Sequence, residues 1–288
     1  MSNAQKPIHI VECPRDAMQG WPHNISTARK IMYLQALLSV GFDTIDFGSF
    51  VSAKGIPQMA DTVAVLQALQ LTNSSSKLLA IVANERGAKE AATFDEISYL
   101  GFPFSISPTF QLRNTNSTIE QSEQRLELIQ NICLQHNKQL VVYLSMGFGN
   151  PYGDAYSPEV LLYWADKMVA KNIKIISLAD TVGLATTLQV SQALAALIPT
   201  YTNTQFGVHL HATENNWLPK MQAALQAGCT RFDGAIMGIG GCPMAQDSLV
   251  GNMRTEWMVQ QLQMQHLATH INTKALTQAI SIANKIFI

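Results

Sequence analysis

Short apolar runs rich in Val and Ile recur at even spacing along the chain. They fall at Ile8–Glu12, Thr44–Phe50, Lys77–Val82, Phe102–Ser107, Gln139–Met146, Ile173–Asp180, Gln205–Ala212 and Arg231–Met237. Their length and β-branched content predict eight strands. Between and after them lie segments of helical period, at 26–40, 58–70, 87–99, 118–136, 157–171, 186–198, 216–227 and 253–265. In one of these, Ile119, Leu126, Ile129 and Cys133 are spaced to share a face. Strand-length runs alternating with helix-length runs predict parallel pairing through βαβ crossovers. Eight such repeats predict an α/β fold of the (β/α)8 TIM-barrel class. An open doubly wound sheet would use the same elements but carry a glycine-rich first turn. The first strand instead runs into Cys13-Pro14-Arg15-Asp16. A ninth helical stretch, 271–285, predicts a short C-terminal helical extension that caps the barrel or pairs subunits. The expected organisation is one catalytic domain over 6–288, with 271–288 as the extension.

Composition narrows the partners. The chain has 288 residues and a net charge of -1, too little positive charge for a nucleic-acid-binding surface. Charged residues make up 14% of the chain, against about 25% in an average domain. So weakly charged a surface predicts a homo-oligomer, a dimer or higher. No run reaches the roughly 18 apolar residues of a membrane span. The first residues lack a secretory apolar stretch, so the expectation is a cytoplasmic protein. The four cysteines, Cys13, Cys133, Cys229 and Cys242, form no CxxC pair, as in a reducing compartment. Cys13, Cys133 and Cys229 read as structural.

Barrel active sites lie at the C-terminal ends of the strands, and the polar residues there are the candidates. They are Arg15 and Asp16 after strand one, Asp46 on strand two, Asp180 at the end of strand six, His209 and His211 on strand seven, and Asn252. His209 and His211 are two apart on a strand and share a face. Two imidazoles with carboxyl or amide oxygens suit a divalent cation such as Mg²⁺ or Mn²⁺. Two hydrogen-bonded core histidines are the other reading. Arg15 is either half of a surface ion pair or an electrostatic clamp for a developing oxyanion. Asp46 orients Arg15 or a cation-bound water, or is an interior carboxylate paired with a Lys or Arg. Gly240-Gly241-Cys242-Pro243 is either a tight turn with a bystander thiol or a loop that approaches a ligand closely. The glycine-rich stretch 146–153 reads as a flexible loop able to pass over a substrate. It has no phosphate-loop spacing.

Taken together, these motifs resemble the 3-hydroxy-3-methylglutaryl-CoA lyase family. The resemblance runs from about Ile8 to Trp257. It is carried by Pro14-Arg15-Asp16, by Ser49-Phe50-Val51-Ser52 with Pro57-Gln58-Met59, by His209-Leu210-His211, and by Gly238-Ile239-Gly240-Gly241-Cys242-Pro243-Met244-Ala245 followed by Gly251-Asn252. The Arg-Asp and HxH features are shared with synthases that condense acetyl-CoA with 2-oxo acids, whereas the Gly-Gly-Cys-Pro loop is particular to the lyases. The resemblance implies a divalent cation held by Asp16, His209, His211 and Asn252. It implies that Arg15 stabilises an enolate, that Cys242 moves a proton, and that Asp46, His209 and Glu256 belong to the catalytic set. The implied reaction splits 3-hydroxy-3-methylglutaryl-CoA, an acyl-CoA substrate, into acetoacetate and acetyl-CoA, as in ketone-body formation or leucine degradation. The alternatives are a related acyl-CoA lyase, a condensing synthase of the same barrel family, and a non-catalytic acyl-CoA-binding barrel. Three departures from the family pattern stand out: Ala17 where Gly is common, Asp46 where Glu is usual, and one extra residue between Cys242 and Asn252.

Overall fold

The structure, a computed structural model, describes residues 7–241 and 250–288. Cys242 lies outside the described residues. Eight strands pair in parallel, each with the next in sequence: β1 (His9–Glu12), β2 (Thr44–Ser49), β3 (Lys77–Ile81), β4 (Ile97–Ser105), β5 (Gln139–Ser145), β6 (Ile175–Asp180), β7 (Gln205–Leu210) and β8 (Arg231–Gly234). β8 closes on β1, with His9 opposite Arg231 and Val11 opposite Asp233. The expected (β/α)8 barrel is therefore the observed one. Outside it run α1 (Pro14–Gln19), α2 (Thr27–Leu38), α3 (Thr62–Ala68), α4 (Glu85–Ala92), α5 (Pro108–Thr115), α6 (Ile119–Gln135), α7 (Pro158–Ala170), α8 (Thr187–Thr200), α9 (Trp217–Gln226), α10 (Thr255–Met264) and α11 (Thr273–Ile286). No helix among the described residues is long and apolar enough to cross a membrane.

Helix starts follow the capping chemistry of the sequence. Ser26 Oγ accepts from the Arg29 amide, and Ser157, ahead of Pro158, caps the Val160 amide. Two boundaries differ from the periodicity. The segment 87–99 is not all helix, because α4 ends at Ala92 and β4 begins at Ile97. Ile97 and Tyr99 are residues that fit a half-buried pleated surface better than a helix end. The strand beginning at Arg231 stops at Gly234, and a 3-10 turn takes over at Ile236–Gly238. The short helices α1 and α5 are each opened by a proline and are too brief to show a period. α11 packs on α2 and ends with Phe287 edge-on to Trp21 and Tyr33, so it joins the outer shell.

The barrel interior is divided by chemistry. Leu79, Ile81, Val141, Tyr143 and Ile175 fill the half lined by β3 to β6. The other half carries Asp46 on β2, His209 on β7, Asp233 on β8 and Cys13 just after β1. β1–β2 and β7–β8 pair as sequence neighbours, and the closure of β8 on β1 joins the two pairs into one wall.

Candidate active site

β1 ends against β8, where the Cys13 amide donates to the Gly234 carbonyl at 2.9 Å. Pro14 then opens α1, so Arg15 and Asp16 leave the strand end on a helical turn rather than on a loop. Arg15 Nε donates to both Asp46 carboxylate oxygens, at 3.2 and 3.0 Å, and Arg15 Nη1 donates to Asp16 at 3.1 Å. Asp46 thus reaches Arg15 despite its shorter side chain. Burial pushes the Asp46 carboxyl up to about 6, even with the guanidinium beside it. For Asp16, burial works the same way, but Arg15, the two imidazoles and the Asn252 amide outweigh it and hold the carboxyl below its ordinary range.

Asn252 is brought to Asp16 by a short antiparallel bridge in which it faces His211. Its Nδ2 donates to Asp16 Oδ2 at 2.7 Å and to the Ile239 carbonyl at 2.9 Å. Its Oδ1 is buried and has no hydrogen-bond partner among the described residues. Such an oxygen costs free energy unless something electropositive faces it. Gly240 makes the approach possible. At φ +118°, a Cβ there would stand 2.3 Å from Asn252 Nδ2 and 2.7 Å from Asp16 Oδ2.

The two imidazoles have different partners. His209 Nδ1 lies 3.3 Å from Asp233 Oδ2, and His211 Nδ1 lies 2.6 Å from the Val250 carbonyl. A carboxylate and a carbonyl only accept, so Nδ1 carries the proton in each ring and the lone pair sits on Nε2. Burial lowers both pKa values. For His209 the Asp233 hydrogen bond and charge outweigh burial and raise it, while for His211 the neighbouring His209 adds to the lowering.

Arg15, Asp16, His209 and His211 line one cavity of about 260 Å³ at the mouth of the barrel, together with Ile81, Tyr143 and Ser145. Glu256 is not among its lining residues. Its carboxylate accepts from the Met237 amide at 3.1 Å, on the turn that leads to Gly240. Asp180 is also turned to structural use. It accepts from Lys220 Nζ at 2.8 Å and from the Ala185 amide at 2.9 Å. Residues 146–153 do not line the cavity either. Asp154, just beyond them, is tied to the start of α5 by bonds from the Thr109 amide and hydroxyl, at 2.9 and 2.8 Å.

Sequence reasoning misses two buried carboxylates. Asp233 is one, and its only signal is an acidic residue inside an apolar strand. Glu12 is the other. It accepts from the Ile236 amide at 2.9 Å and from the Thr255 hydroxyl, tying β1 to α10. Burial pushes the Glu12 carboxyl from 4.5 to about 8, against those two hydrogen bonds. Between these pH values the unfolded chain loses the proton and the folded chain keeps it. Stability therefore falls as pH rises through that window, by on the order of a few kcal/mol. Glu12→Gln keeps one acceptor for Ile236 and one donor toward Thr255. The variant is expected to lose this slope in urea unfolding measured from pH 5 to 8; an unchanged slope would assign it to other groups.

Comparison with known proteins follows the same lines. A family model described as HMGL-like matches residues 8–282. Hydroxymethylglutaryl-CoA lyase YngG of Bacillus subtilis is 32% identical over 275 residues, covering 95% of this chain and 91% of that protein. The mitochondrial hydroxymethylglutaryl-CoA lyase of Macaca fascicularis is 33% identical over 282 residues, covering 97% and 85%. The solved HMG-CoA lyase of Acinetobacter baumannii, in complex with coenzyme A and 3-methylmalate, matches with a TM-score of 0.91 at 29% identity. That match covers 100% of this chain and 93% of its own.

Proposed function

The chain belongs to the HMGL-like family, and on that premise we propose that it cleaves 3-hydroxy-3-methylglutaryl-CoA into acetoacetate and acetyl-CoA. It is a carbon–carbon lyase whose substrate is an acyl-CoA thioester. The observation that carries the site assignment is the convergence of Arg15, Asp16, His209 and His211 on one cavity, with the unpartnered Asn252 oxygen beside Asp16. About 260 Å³ suits the acyl unit, with the rest of the coenzyme lying outside.

Asp16, His209, His211 and Asn252 are the residues that would hold a divalent cation, Mg²⁺ or Mn²⁺. The donor set fits: one ionised carboxylate, two imidazoles with free Nε2 lone pairs and an amide oxygen in need of a partner. When bound, the cation supplies Lewis-acid polarisation of the substrate's tertiary hydroxyl. That hydroxyl loses its proton toward the Asp16–His209 side of the cavity. The carbon–carbon bond breaks, a ketone forms, and the electron pair enters the enolate of acetyl-CoA. Arg15, fixed by Asp46, holds the enolate oxygen, an electrostatic role that needs a charge oriented before the reaction. Cys242 delivers the proton that turns the enolate into acetyl-CoA, a general-acid role suited to a thiol; this rests on the Gly-Gly-Cys-Pro motif. Glu256 acts at one remove, bracing the turn before Gly240. The proposal extends to a homo-oligomer, which the low charged content of the chain supports.

The deciding experiment offers purified protein the hydroxymethylglutaryl thioester in one arm and acetyl-CoA with 2-oxo acids in the other. Acetoacetate release in the first arm alone is the expected result. Condensation in the second arm would make the protein a synthase, and binding without turnover in either would make it a non-catalytic barrel.

A further inference from the structure

A second group of potential ligands gathers around His209, on the side of the ring that faces Asp233. Cys13 Sγ, a ring nitrogen of His209 and a carboxylate oxygen of Asp233 all fall within 4.8 Å of one another. They come from the ends of β1, β7 and β8, which are adjacent across the barrel closure. Cys13 and Asp233 are 1% and 3% exposed. The 3.3 Å between His209 Nδ1 and Asp233 Oδ2 is already the spacing of two ligands on one zinc ion, roughly 3.3 Å for bond lengths of about 2.0 Å. Asp233 also has an acceptor to spare, since its Oδ1 is buried without a hydrogen-bond partner among the described residues. Burial, together with Asp233, Asp46, Asp16 and Glu12, pushes the Cys13 thiol up. A metal bond is what would draw the proton off that sulfur, since coordination deprotonates a thiol outright.

We propose that Cys13, His209 and Asp233 form an inner site for a thiophilic divalent cation such as Zn²⁺ or Cd²⁺, and that filling it withdraws His209 from the catalytic cation. A thiolate beside an imidazole selects a soft ion over Mg²⁺, which prefers oxygen. The exclusion follows from the chemistry of one ring. A neutral imidazole has a single lone pair. With Nδ1–H donating to Asp233, that lone pair is on Nε2. A cation at the inner site takes Nδ1, so the ring proton moves to Nε2 and Nε2 can no longer be a ligand. The Cys13 thiol releases one proton to solvent as the sulfur–metal bond forms, and no electron is transferred. The inner site stands on its three residues alone; only its effect on turnover rests on the reading of His209 given above.

Cobalt titration of the chelator-treated full chain tests the site without reference to activity. A sulfur-to-cobalt charge-transfer band is expected in the unaltered protein and in Cys242→Ser, and its loss is expected in Cys13→Ser and Cys13→Ala. A band that persists in both Cys13 variants, or is absent from the unaltered protein, overturns the site. Should both variants fail to fold, X-ray absorption at the zinc edge of the Cys242→Ser protein decides instead: a sulfur neighbour supports the site and an all-nitrogen-and-oxygen shell overturns it. Zn²⁺ inhibition of Mg²⁺-supported acetoacetate release tests the exclusion. Cys13→Ala should raise the inhibitory concentration about tenfold or more, since losing even an outer partner of a metal site costs about 10–100-fold in affinity. Equal inhibition of both proteins overturns the exclusion. If no thioester is cleaved at all, the cobalt spectrum still decides the inner site, so the two readings fail separately.

Discussion

Treatment with a chelator is expected to abolish acetoacetate release, and Mg²⁺ or Mn²⁺ to restore it. The four donors come from distant parts of the chain: Asp16 from α1, the two histidines from the end of β7, and Asn252 from the segment entering α10. Asp16 is buried and kept ionised by Arg15, but Asn252 Oδ1 has no hydrogen-bond partner among the described residues and is costly without something electropositive facing it. An unpaired buried polar group costs about 1–3 kcal/mol, so a cation at this point relieves a penalty the fold otherwise carries. Asp16→Asn removes the charge and leaves the side-chain volume almost unchanged. Its expected effects are a loss of Mn²⁺ affinity, read by electron paramagnetic resonance, and loss of turnover, with some loss of thermal stability because Asp16 also accepts from Arg15 and Asn252. Full turnover in protein shown by elemental analysis to be metal-free would remove the cation from the reaction, and with it the roles given to His211 and Asn252.

Arg15→Met is expected to cut kcat by roughly 10²–10³-fold, the usual cost of deleting an oriented oxyanion partner, with a smaller change in KM. Two effects would be mixed in this variant, because Asp46 would lose its partner too. Breaking a buried ion pair on one side commonly costs about 3–5 kcal/mol. Here the penalty is softened, since the Asp46 carboxyl already sits near 6 and takes up a proton once the guanidinium is gone. The double variant Arg15→Met with Asp46→Asn separates the two. It is expected to recover much of the stability in urea unfolding and none of the turnover. Arg15→Lys is a further control, because an ammonium cannot reproduce the fork that engages both Asp46 oxygens. Turnover rescued by the double variant would show that Arg15 acts through stability, not by holding the enolate.

Much of the architecture was legible in the one-dimensional pattern. Strands of a parallel barrel are buried on both faces and therefore read as continuous apolar runs, which is why Gln139–Ser145 and Ile175–Asp180 stand out. The reading failed where the local signal was weak or shared. Ile97–Tyr99 follows a helix with only four residues between, and its apolar positions fit either period. α1 and α5 span six and eight residues, too few for a face to repeat. The site was legible as a set of polar residues at strand ends, because Arg15, Asp16, His209 and His211 are out of keeping with the apolar runs they terminate. Their partners were not. Asp233 faces His209 through the β7–β8 register, and Glu12 meets Ile236 and Thr255 more than 220 positions away in sequence.

The sequence alone determined the number and order of the strands, the longer helices between them and the polar residues at strand ends, since these depend on periodicity and composition within short windows. The tertiary structure alone decided which of those residues meet. Closure of β8 on β1 brings Asp16 against Asn252, β1–β2 pairing sets Arg15 against Asp46, and the β7–β8 register sets Asp233 against His209. The physical reason is that pairing, burial and the resulting proton affinities depend on distances in space, and a closed barrel brings together segments that the chain keeps far apart.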